Sequence, residues 1–128
     1  MNQTYFVLKI DDSMFKGLSK ILIERKELSP SDAKKIIKED SIISCCNRND
    51  GPTFNVMSRR FAIDVLIPDK PNYPSDIRLS YGDRILVMSV SLLRTITDSD
   101  WYRYTDNEVA SAKFLFSLYT IVSNTNIY

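Results

Sequence analysis

Hydrophobic positions fall in short runs divided by polar punctuation, and their spacing changes along the chain. "TYFVLKI" (Thr4 to Ile10), rich in β-branched and aromatic residues, predicts a strand, and "DDSMFKGL" a short helical turn capped by Asp or Ser. "SKILIER" (Ser19 to Arg25) predicts a second strand. "LSPSDAKKIIKED" predicts a helix ending near Asp40, with Ser29 as N-cap, Pro30 at the first helical position and Asp32 near the positive end of the dipole. "SIISCC" predicts a third strand, "GPTFNVMSRRF" a helix with Pro52 near its start, and "IDVLI" a short strand or extended run. "PDKPNYPSD" holds three prolines and predicts an irregular exposed loop.

Beyond that loop, "RLSYGDRILVMSVSLLR" turns at Tyr81-Gly82-Asp83 into the longest apolar strand, Arg84 to Leu93. "TDNEVASAK" predicts a short helix begun by Thr105 or Asp106, and "FLFSLYTIV" (Phe114 to Val122) a last strand. The alternation implies an α/β fold: one compact domain over 1–128, with a mixed β-sheet and interspersed short helices. No internal repeat, low-complexity tract or domain linker interrupts it.

Composition narrows the function classes. At 128 residues, 44% hydrophobic and 26% charged, the chain can bury one ordinary core. Its net charge of +1 supplies no global field for duplex DNA or an acidic membrane. The first residues, "MNQTYFVLKIDD", lack the pattern of a secretory signal, and no apolar run reaches membrane-span length, so an intracellular protein without a membrane partner is expected. Cys45 and Cys46 are adjacent, and neighbours on an extended backbone point to opposite faces. A disulfide framework is therefore not expected; one core thiol and one surface or interface thiol are.

The sequence contains no histidine. That excludes a Ser-His-Asp triad, a Cys-His dyad and an imidazole base. Zinc sites of mixed His and Cys go with them, and no metal or cofactor is expected. Three glycines and no GxGxxG or GxxxxGK[ST] remove the common nucleotide loops.

Three constellations remain. Asn47, Arg48, Asn49, Asp50, Gly51 and Thr53 combine polar side chains with a helix N-terminus that can face a phosphate, or form a turn whose Asn, Asp and Gly merely tolerate unusual dihedrals. Arg94, followed by Thr95, Thr97, Asp98 and Asp100, can clamp a phosphodiester or form a solvated ion pair. In "WYRYTD" (Trp101 to Asp106), aromatics interleave with Arg103 as in protein interfaces, and the near-zero net charge favours that reading over base stacking. Arg59 and Arg60 read as a solvated face near a helix C-terminus.

The order of elements resembles that of small crenarchaeal-virus proteins typified by the anti-CRISPR ring nucleases, which bind and cleave cyclic tetra-adenylate, the messenger of type III CRISPR immunity. The likeness runs through "MN..YF", the polar loop at "DDSMF", the strand ending "IIS", the helix beginning at Thr53, the crossing "IPDKPN" and "RLSYGDRILVMSV" with Arg94 beyond it. Where that family has Gly-His-x-Ser-Thr, this chain has "NRNDGPT" and keeps only Thr53. The family's Asn-Ala-Phe-Ser is here "LKIDD", and its glutamate after the strand-end arginine has only Asp98 nearby.

The resemblance implies a ring-nuclease-like fold. It places ligand or partner binding at Asp12, Ser13, Asn47, Arg48, Asn49, Thr53 and Arg94, with Arg94 and Asp98 as candidates for any residual catalysis. It also implies a homodimer, to which the apolar last strand and the aromatics at Trp101 to Tyr104 add support. The expected function is antagonism of type III immunity in the cytoplasm of an infected host cell, by binding an effector complex protein or a cyclic oligoadenylate. The alternatives are a residual metal-independent ring nuclease and a viral accessory or structural protein. Binding ranks first, because a missing proton-transfer group typically costs about a hundredfold or more.

Overall fold

The computed structural model describes residues 2–16, 18, 20–39, 42–46, 51–65, 68, 70, 72–91 and 105–125. Its centre is a five-stranded mixed sheet in the order β2-β5-β4-β1-β3, formed by β1 (Thr4–Val7), β2 (Lys20–Leu28), β3 (Ile42–Ser44), β4 (Arg84–Ser91) and β5 (Lys113–Thr125). β1 lies between β3 and β4 and runs parallel to both, while β5 is antiparallel to β4 and β2. The fold class expected from the alternation is the one observed.

Side chains alternate across the sheet and divide the core in two. Phe6, Leu86, Met88 and Phe116 pack with Ala33 of helix α1 (Pro30–Glu39) and with Phe54 and Met57 of helix α2 (Gly51–Phe61). Tyr5, Val7, Ile85 and Ile121 face the other way, against Met14, Ile77 and Leu79. A third, smaller cluster joins Val56 of α2 to Val109 and Ala112, at and just beyond helix α3 (Asp106–Ser111). Burying an apolar side chain in such clusters contributes about 1.5–3 kcal/mol, so these positions carry much of the stability.

The local signals account for the helix starts. Ser29 Oγ accepts the Asp32 N–H at 3.1 Å, and Pro30 opens α1 as expected. Thr105 caps α3 in a capping box with Glu108: the two residues exchange side-chain-to-backbone hydrogen bonds of 3.1 Å. α2 stops where Ala62 takes φ 55, a left-handed position usually given to glycine.

Strand bounds moved in both directions. β1 ends at Val7 rather than Ile10, because Leu8 to Ile10 turn away from the ladder toward a 3-10 turn at Asp12–Phe15. β2 continues to Leu28, since β5 is long enough to pair with it throughout, from Lys20↔Thr125 to Leu28↔Phe116. β5, with 13 residues, is therefore longer than β4, against the expectation that the Arg84 strand would be longest. β3 stops at Ser44, leaving both cysteines beyond it. The proline-rich loop contains one regular turn, a 3-10 helix at Pro74–Asp76 with Pro74 at its start. Among the described residues no helix is long and apolar enough to cross a membrane.

Candidate functional site

Because β4, β1 and β3 are parallel neighbours, their carboxyl ends, Ser91, Val7 and Ser44, open on one edge of the sheet. In α/β sheets, ligands collect outside the carboxyl ends of strands where neighbouring connections diverge. β1 is such a strand, with β3 on one side and β4 on the other.

The chain leaving β1 reaches the 3-10 turn that carries Asp12 and Ser13. Asp11, not Asp12, caps that turn: its carboxylate accepts the Ser13 N–H at 2.9 Å, and this hydrogen bond holds the Asp11 carboxyl below its usual range. Asp12 is exposed, Ser13 is half-buried, and the buried Met14 anchors the turn to the core.

The chain leaving β3 is gripped at once. Cys45 N–H donates to Phe6 O at 2.9 Å, Cys46 N–H to Ser44 Oγ at 3.4 Å, and the Asn72 side-chain amide to Ser44 O at 2.9 Å. Cys46 is buried and Cys45 half-buried, and neither is in a disulfide. Burial pushes the Cys45 thiol up to about 11, which keeps it protonated and unreactive near neutral pH. α2 then begins at Gly51, with Thr53 half-buried in its first turn. The amides of that turn have no partner within the helix and give the edge a positive end.

Asp12, Ser13 and Thr53 thus stand on segments leaving adjacent parallel strands. Asn47, Arg48, Asn49, Arg94 and Asp98 lie outside the described residues, as do Trp101 to Tyr104. Asn72 is the residue that sequence reasoning missed. It sits among prolines, where nothing in the pattern marks it as a partner for a strand 28 positions away. Among the described residues no group of three or more His, Cys, Asp or Glu is placed to hold a metal ion.

Arg59 and Arg60 are exposed in the last turn of α2, as expected of a solvated face, and each also reaches α3. Arg59 pairs with Asp106 at 3.0 Å, and Arg60 donates to the carbonyls of Val109 and Ala110. The reason is position: the last turn of α2 packs against α3, so the two guanidinium groups meet the start and the end of that six-residue helix. They line a cleft of about 360 Å³ with Asp106, Val109 and Ala110.

Chemically, the carboxyl edge offers hydroxyls, backbone amides and the exposed Asp12 carboxylate, but no imidazole, since the sequence has none. Hydroxyls and backbone amides can donate hydrogen bonds to a polar group, while the Asp12 carboxylate can only accept them. No protein-family model matches the chain, and no curated protein matches it. Among solved structures the chain is similar to B116 of Sulfolobus turreted icosahedral virus, with a TM-score of 0.56 and 15% identity over 93% of this chain and 99% of that one. At that identity the likeness is one of fold.

Proposed function

We propose that this chain is a virus-encoded antagonist of type III CRISPR immunity, working in the cytoplasm of the infected cell. It acts by binding an effector complex protein or a cyclic oligoadenylate, and the ring-nuclease chemistry of the proteins it resembles is lost. It does so as a homodimer. The observation that carries this reading is the carboxyl edge, where Asp12, Ser13, Thr53 and the amino end of α2 stand on segments that leave β1 and β3. The likeness in fold to a protein of an archaeal virus supports the viral setting. The absence of histidine favours holding over cleaving, because aligned hydrogen bonds position a phosphodiester but do not move its proton near neutral pH.

The test is a binding titration with labelled cyclic tetra-adenylate, run beside a metal-free turnover assay and a host-lysate pull-down read for CRISPR effector subunits. The expected result is retention of one of these partners without multiple turnover. Arg48→Glu should leave the fold intact and weaken that binding, since the loop arginine is suited to forked contacts with phosphate or carboxylate. Multiple turnover that disappears in Arg94→Ala would overturn the binding reading and make the chain a ring nuclease. Light scattering that gives a monomer at micromolar concentration would remove the homodimer.

A further inference from the structure

We infer that Asn72 is a positioning residue for the carboxyl-edge site, fixing the end of β3 at Ser44; this rests on the reading of that edge as the ligand site. β3 has three residues and is the outermost strand of the sheet, and among the described residues its outer side meets no further strand. In the parallel ladder Cys45 N–H bonds to Phe6 O, which leaves the neighbouring Ser44 carbonyl directed away from β1 toward the open edge. There the Asn72 amide donates to it at 2.9 Å. The end of β3 is held from both sides, by β1 and by Asn72, seven residues or fewer before the first turn of α2.

Asn72 is itself held in place. The turn that follows it is closed by Asp76 N–H to Tyr73 O at 2.9 Å and Ile77 N–H to Pro74 O at 3.1 Å, and Ile77 and Leu79 are buried in the core on the face opposite α1 and α2. A rigid segment from one side of the sheet thereby fixes a strand end whose continuation forms a helix on the other side. The contact needs a donor. A carboxylate at this position would face the Ser44 carbonyl without one, and alanine would leave the carbonyl to water.

The experiment compares the parent with Asn72→Asp, Asn72→Ala, Asn72→Gln and Arg78→Ala. The Arg78 guanidinium donates to Ser75 O at 2.8 Å and Ile77 O at 2.9 Å within the same segment but does not touch β3, which makes it the control. Each variant is read three ways: melting temperature, amide exchange at Cys45 and Cys46, and affinity for labelled cyclic tetra-adenylate with inorganic phosphate as a second probe. Asn72→Asp and Asn72→Ala should keep the parent's melting temperature within a few degrees, speed exchange at Cys45 and Cys46, and weaken probe binding about tenfold, the usual effect of one lost hydrogen bond. Asn72→Gln, which keeps the amide, should recover part of both, and Arg78→Ala should change neither.

Unchanged exchange at Cys45 and Cys46 in Asn72→Asp overturns the inference. So does parent-like probe affinity, and so does global unfolding of both variants, which would make Asn72 a residue of the fold rather than of the site. If the parent binds neither probe, it is the ligand reading that falls, and the exchange measurement alone then decides whether Asn72 positions the strand end.

Discussion

The two edges of the parallel strands are built differently. At the amino edge almost every polar group near the Gly82 turn is used internally. Asp83, 3% exposed, accepts from Gln3 N–H at 3.0 Å, Ser80 N–H at 2.9 Å and Ser80 Oγ at 3.3 Å. Gly82 N–H reaches Ile121 O, Ile121 N–H reaches Asp83 O, and the Arg84 guanidinium donates twice to Thr4 Oγ1. At the carboxyl edge Asp12 is exposed and Thr53 is half-buried in the first turn of α2, and the hydrogen bonds among the described residues hold the end of β3 and the turn capped by Asp11. The amino edge spends its polar chemistry on holding three strands and a turn together, while Asp12 at the carboxyl edge faces outward. The lesson is that charge and glycine in a sequence do not by themselves mark a site: "YGDR" is a lock.

The sharpest way to break the comparison is Asp83→Ala. Removing a buried acceptor of three hydrogen bonds strands two backbone N–H groups, and the expected loss is about 3 kcal/mol or more in a denaturant titration. Asp83→Asn should also destabilise, because its amide nitrogen would turn a donor toward Gln3 N–H or Ser80 N–H. A loss below about 1 kcal/mol for the alanine variant would mean that the amino edge is not the lock described.

Gly82→Ala comes next. Gly82 has φ +88, and an added Cβ would lie 2.5 Å from Asn2 Nδ2. Asn2 is exposed and its side chain can move, so the dihedral carries most of the cost, about 1–2 kcal/mol. Repeating the substitution in an Asn2→Ala background separates the two causes. Most of the loss should remain, and full recovery would assign it to the contact instead.

How far the sequence foretold all this depends on the range of the interaction. Ser29, Pro30 and Thr105 announced their helices because capping is local, and the apolar run in "RILVMSV" announced a strand, whose Ile85 and Leu86 enter opposite cores. Where an outcome turned on a distant partner, the pattern was silent. β2 runs to Leu28 through a charged stretch only because β5 pairs with it, and α2 ends at Ala62 with no glycine to signal it. Arg59 and Arg60 were legible as exposed charge, but their contacts to α3, more than 40 positions later, were not. The site divides in the same way. The strand ending in "IIS" and the helix opening at Gly51 were legible, whereas the Asn72 contact to Ser44 was not.

Cys45 sharpens the contrast from the carboxyl side, because it sits just past β3 yet is chemically closed. With its thiol raised from 9.0 to about 11, it carries roughly 100-fold less thiolate at pH 8 than an ordinary cysteine, and alkylation should slow correspondingly. Mass spectrometry of iodoacetamide time courses checks this, and a rate matching that of a model peptide would refute it. The same shift has a pH consequence of fixed sign. A raised folded value means that the stabilising contribution is present below pH 9 and is lost as pH rises through about 11. The Tyr5 hydroxyl, raised by burial and then by Asp83 and Cys45, works in the same direction above its ordinary value of 10.0. The unfolding midpoint should therefore fall across that alkaline window, less steeply in Cys45→Ala.

The smallest expected effect is the most informative about function. Thr53→Val keeps a β-branched side chain of nearly the same volume in the first turn of α2 and deletes only the hydroxyl, and Asp12→Asn removes a charge from an exposed turn whose cap is Asp11. If the carboxyl edge holds its polar groups for a ligand, neither group contributes to folding, and each substitution should move stability by no more than about 0.5 kcal/mol. Each should still weaken whichever partner the parent binds in the titrations above. A stability loss above about 1.5 kcal/mol in Thr53→Val would show that its hydroxyl is a helix cap or core contact, and the two edges would then differ in degree and not in kind.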